Sequence, residues 1–236
     1  MPDVGRFFNV DPLAEKYTYN STYAFSENAV ISYRELEGLE KVLAIFYTGG
    51  AQGAAKVYPK ASEAGTTGQL FNYAASNARE KGYGFKGAII GSGFTNGSSV
   101  SKGTKFIENN YEKGDIVITY GYSYGGDNSM ELGSELKDKN IPVQLFMIVD
   151  SSDGPLGNST VKTDVSDNTL VAVNTYQTTP DPNSTASGGP IKAENSKKTD
   201  VVNVNSTSKD TTHQNIDEKA LNANKQMIDL SIPKIK

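Results

Sequence analysis

The 236 residues carry 23 lysines and arginines against 27 acidic residues, a net charge of -4 with both signs interspersed. No basic stripe exists, so the electrostatic footprint of a nucleic-acid binder is missing. Zero cysteines exclude disulfides, thiol catalysis and thiolate metal ligands, and with a single histidine a zinc site would have to be built mostly from carboxylates, against the usual preference of zinc for Cys and His.

The length suits one α/β domain with a short appendage. No apolar stretch reaches the roughly 20 residues of a transmembrane helix. The start, Met1 to Phe8, lacks the basic-then-apolar pattern of a signal peptide and reads as the middle of something longer.

Residues 1–39 differ from the rest. Their aromatics follow no helical period, and turns are marked at Asp11-Pro12 and Glu37-Gly38, so the segment has little core of its own. From residue 40 strands and helices alternate. Val42–Thr48 is an unbroken apolar run bounded by Gly49-Gly50. Gln69–Lys81 has helical spacing and stops at Gly82. A short strand over Lys86–Gly91 and a helix over Val100–Tyr111 follow, then a strand over Asp115–Tyr120 and a helix over Ser129–Lys139. Strands are expected at Val143–Val149, Leu170–Tyr176 and Val201–Val204, and a final helix at Glu218–Leu230. Gln177 to Thr199 has no periodicity and reads as a long loop, a lid or a mobile excursion. This alternation implies a mostly parallel sheet with helices on both faces.

The chemistry centres on Gly121-Tyr-Ser-Tyr-Gly125, with a strand before it and a helix after it. A G-x-S-x-G turn in that setting presents a serine nucleophile, here Ser123. Such a serine needs a base and an orienting acid. His213, in a polar loop before the last helix, is the only histidine. Asp150 ends an apolar run at the sheet edge that presents Ser123, with Asp153 its rival in the same loop. The order Ser123, Asp150, His213 is that of α/β-hydrolases rather than of chymotrypsin or subtilisin. The oxyanion hole is expected from the backbone N–H of Tyr124 and of Gly49 or Gly50. Tyr47 and Tyr122 are candidate walls of an acyl pocket. No metal or other cofactor is required.

Two resemblances accompany these readings. Gly5-Arg-Phe7, Asp11 to Tyr17, Tyr23-Ala-Phe25 with Asn28, and Glu35 to Leu39 resemble the end of an RHS-repeat-associated core domain, which precedes a variable toxin. In relatives paired aspartates there release the toxin; the second site reads Glu35-Leu-Glu-Gly38 here, in place of D-P-x-G. Gly121 to Gly126, Pro142 to Asp150, Asn174-Thr-Tyr-Gln177 and His213 are similar to lipase-like α/β-hydrolases. The sequence departs from that pattern at Tyr122, where histidine is usual, and at Ser151, where proline is common.

Together the resemblances imply an effector made in a bacterial cytoplasm and delivered to a target cell by an RHS cage and its secretion apparatus. They also imply a lipid or other ester substrate and a cognate immunity protein. Two further readings stay open: a serine hydrolase of another substrate (peptide, thioester or sugar ester), and a non-enzymatic binding domain on a hydrolase fold.

Overall fold

The computed structural model describes residues 40–50, 55–93, 96–152, 161–179 and 188–235. The RHS-like segment, with Asp11 and Glu35, lies outside the described residues, as does Asp153. The chain divides between Leu39 and Glu40.

From Glu40 the chain forms a sheet covered by helices on both faces. In chain order come β1 (Lys41–Thr48), α1 (Gly65–Glu80), β2 (Gly84–Gly91), α2 (Asn96–Asn110), β3 (Ile116–Tyr122) and α3 (Tyr124–Asp138). Then follow β4 (Val143–Val149), β5 (Asp164–Val165), β6 (Thr169–Tyr176), β7 (Lys192–Ala193), β8 (Asp200–Asn205) and α4 (Ile216–Ser231). Six strands align in the order β2-β1-β3-β4-β6-β8, every pair parallel. This is an α/β-hydrolase-like sheet.

The unbroken apolar strands have a simple cause. Successive side chains point to opposite faces, and here both faces are covered. Val42, Ala44 and Phe46 join Leu70, Ala74, Ile216 and Ile228 in one core, beneath α1 and α4. Leu43, Ile45 and Tyr47 join Ile107, Met130, Leu132 and Leu136 in the other, beneath α2 and α3. Every residue of β1 from Val42 to Tyr47 is fully buried.

The topology also places the site. The chain leaves β1 for β2 on one side, then crosses to β3 on the other. In such sheets the crevice at the reversal point, outside the carboxyl ends of the strands, is where ligands bind. Gly49 follows β1 and Ser123 follows β3, so both border that crevice.

The observed helices begin earlier than periodicity suggests: α1 at Gly65, α2 at Asn96 and α3 at Tyr124. Each first turn is rich in Gly, Ser, Thr or Asn, weak helix formers that tertiary packing overrides. The expected loop over 177–199 is in part ordered. Residues 188–199 include β7, which pairs with β5, and Ile191 is buried. Residues 180–187 lie outside the described residues.

Candidate active site

Ser123 stands at φ 56° and ψ −127°, between the last residue of β3 and the first of α3. A non-glycine residue there costs on the order of 1–3 kcal/mol and persists only if its neighbours enforce it. Three backbone bonds do so. The Ser123 N–H donates to Val149 O (2.9 Å), and Ser123 O accepts from the N–H groups of Gly126 (2.8 Å) and Ser152 (3.2 Å).

The glycines around it are dictated by close approach. A Cβ at Gly125 would lie 2.6 Å from the carbonyl oxygens of both Tyr47 and Thr48. One at Gly126 would lie 2.8 Å from Ser151 Cβ, and one at Gly121 would strike Gly125 O and Ser129 Oγ. Gly125→Ala is therefore expected to destabilise the fold by about 2 kcal/mol or more. Thermal unfolding checks this; an unchanged midpoint would show that α3 can shift away from β1 without cost.

His213 reaches Ser123 from the loop between β8 and α4. Its Nε2 lies 2.8 Å from Ser123 Oγ, and its Nδ1 lies 2.8 Å from Asp150 Oδ2. The loop is tied to itself: Asn215 Oδ1 accepts the Thr212 N–H (2.9 Å), and Asn215 Nδ2 donates to Asp210 O (3.0 Å).

Asp150 follows β4 at φ 44° and is fully buried. Four nitrogens meet its two oxygens. Oδ1 accepts from the backbones of Gln177 (3.2 Å) and Gly188 (2.8 Å), and Oδ2 from Gln177 Nε2 (3.1 Å) and His213 Nδ1. Gln177 and Gly188 escaped the sequence reading as site residues, because both sit in the stretch taken for an irregular loop. Gln177→Ala removes one charge-assisted bond but keeps the backbone donor. It is expected to slow hydrolysis about tenfold with little change in KM, since it touches the acid and not the substrate. Steady-state kinetics decide; a rate equal to wild type would mean the other three donors suffice.

Tyr47 corrects its part of the expected acyl pocket. Tyr47 is fully buried in the core beneath α2, with its hydroxyl donating to Ser99 O (3.3 Å), so it walls no pocket. Tyr122 is half-buried, and its ring stacks on the His213 imidazole with centroids 5.4 Å apart. Its hydroxyl donates to His213 O. Burial, then the charges of Asp217 and Asp150, push the Tyr122 phenol well above its ordinary range, which keeps it a donor.

The candidate oxyanion positions flank Ser123. Tyr124 directly follows Ser123 and opens α3, so its N–H belongs to the first helical turn. Gly50 has φ +73°, and a Cβ at Gly49 would lie 3.0 Å from Ser123 Cβ and 2.8 Å from the Tyr122 ring. Behind this turn, Asn128 Nδ2 donates to Ser92 Oγ and Ser92 Oγ to Thr48 O, each at 2.8 Å. These polar residues, which sequence patterning did not single out, fix the end of β1.

No protein-family model matches the chain, and no curated protein does. Among solved structures, a protein of Agrobacterium vitis S4 named for a hydrolase is 12% identical, with 80% of this chain and 88% of that one covered and a TM-score of 0.49. An α/β serine hydrolase without lid from Xanthomonas campestris is 13% identical over 82% of each chain (TM-score 0.43). Est1E from Butyrivibrio proteoclasticus, bound to ferulic acid, is 12% identical over 83% of this chain and 91% of that one (TM-score 0.45). At such identities the likeness is one of fold.

Proposed function

We propose that this chain is a serine hydrolase of carboxylic esters, a lipase or phospholipase that forms the toxin end of an RHS effector. The observation that carries the reading is the relay from Ser123 through His213 to Asp150, with both links at 2.8 Å. Ser123 Oγ attacks the ester carbonyl while His213 Nε2 takes its proton and passes it to the departing alcohol. Asp150 holds Nδ1 and orients the ring. The N–H groups of Tyr124 and of Gly49 or Gly50 receive the oxyanion.

Lipid as the substrate rests on the resemblance of residues 3–39 to the RHS core edge. A delivered toxin must harm a cell, and membranes are rich in esters. On the same ground the chain would be made in a bacterial cytoplasm, carried by the RHS cage and its secretion apparatus, and neutralised by an immunity protein. Bacterial phospholipid extract incubated with wild type and with Ser123→Ala tests the reading by mass spectrometry. Free fatty acid and lysophospholipid are expected with wild type alone. No product, with Ser123 still labelled by a fluorophosphonate, would replace lipid by another acyl substrate. No labelling would end the hydrolase reading.

A further inference from the structure

A second hydroxyl stands at the nucleophile. Ser152 is buried, and its Oγ lies 3.2 Å from Ser123 Oγ. The direction of this hydrogen bond follows from the relay. Three N–H groups, from the backbones of Gln177 and Gly188 and from Gln177 Nε2, face the oxygens of Asp150, which therefore acts there only as an acceptor. His213 Nδ1 must then carry its hydrogen toward Asp150, and the neutral ring leaves Nε2 to accept. Ser123 Oγ–H gives its single hydrogen to Nε2, so its oxygen faces Ser152 with lone pairs only. Ser152 is the donor.

We propose that Ser152 is a further catalytic residue, whose hydroxyl stabilises the charge on Ser123 Oγ when the acyl group leaves it. The inference rests on the serine hydrolase reading. In acylation the bond from Oγ to the acyl carbon forms, the ester C–O bond breaks, and the Ser123 proton passes through His213 to the alcohol. In deacylation water adds to the acyl carbon and gives its proton to His213. The bond from the acyl carbon to Oγ then breaks, with its electron pair going to Oγ, and His213 returns the proton there. As that bond breaks, Oγ gains negative charge, and a hydrogen bond to a charged acceptor is about twice as strong as to a neutral one. During attack the same bond occupies a lone pair of the nucleophile, so its benefit falls on deacylation.

Ser152 is suited to a clean test because its backbone does a separate task. The Ser152 N–H holds Ser123 O (3.2 Å), and Ser152→Ala keeps that bond while deleting the hydroxyl. Stopped-flow hydrolysis of p-nitrophenyl butyrate, with intact mass spectrometry of the quenched enzyme, separates the two steps. In Ser152→Ala the p-nitrophenol burst is expected to stay within about twofold of wild type, while decay of the butyryl-enzyme slows about tenfold. Ser152→Cys, a weaker donor of similar size, is expected to decay at an intermediate rate, and serves alone if the alanine variant does not fold. Butyryl-enzyme decay as fast as in wild type, or burst and decay slowed in equal proportion, would overturn the role. Failure of wild type to take up fluorophosphonate would instead overturn the serine hydrolase reading, and this one with it.

Discussion

Ser123→Ala is expected to lower ester hydrolysis by about 10⁴-fold or more while leaving the thermal midpoint in place. Removal of the attacking oxygen deletes covalent catalysis and leaves only binding and oxyanion stabilisation. Alanine at φ 56° remains as strained as serine, so no strain is released. Ser123→Gly, in contrast, occupies that region freely and should unfold at higher temperature while being as inactive. Initial rates on p-nitrophenyl butyrate and a melting curve for both variants check the pair of expectations. Turnover within tenfold of wild type in Ser123→Ala would remove Ser123 from the chemistry.

Asp150→Asn should cost about 10⁴-fold in kcat and also destabilise the fold, an unusual combination for a change of one atom. The aspartate accepts two N–H groups on each oxygen. An asparagine must turn its NH2 toward one pair or the other. Facing His213 and Gln177 Nε2, it forces the wrong imidazole tautomer. Facing the backbone N–H groups of Gln177 and Gly188, it leaves two buried donors against a third. Either rotamer is expected to cost about 1–3 kcal/mol of stability. Asp153→Asn should do neither. Kinetics and denaturant unfolding of both variants are the check, and a greater rate loss in Asp153→Asn would move the acid to that residue.

The sheet was readable in the sequence because both of its faces are buried. Val42–Phe46 and Leu145–Val149 have no polar interruption, and that signal survives ignorance of which helix covers which face. The same alternation accounts for the misplacement of Tyr47, which falls two residues after Ile45 on the face beneath α2. Nearness to the strand end suggested a pocket; the period of two placed the ring in the core. The meeting of Ser123, Asp150 and His213 was legible for a compositional reason, since one histidine leaves one choice of base. Gln177, Gly188 and Ser152 were not legible as partners. Each acts through a backbone group or a single atom, and their proximity exists only after 27, 38 and 29 residues of chain have closed on the site.

Gln177 and Gly188 both donate backbone N–H groups to the same oxygen of Asp150, so the two stems of the intervening segment are riveted at one point. Asn174 Nδ2 reinforces the far stem through Gly189 O (2.9 Å). Seating of Asp150 and closure of the chain from Gln177 to Gly188 are therefore one event, so a change that loosens Gly188 is felt at the buried carboxylate.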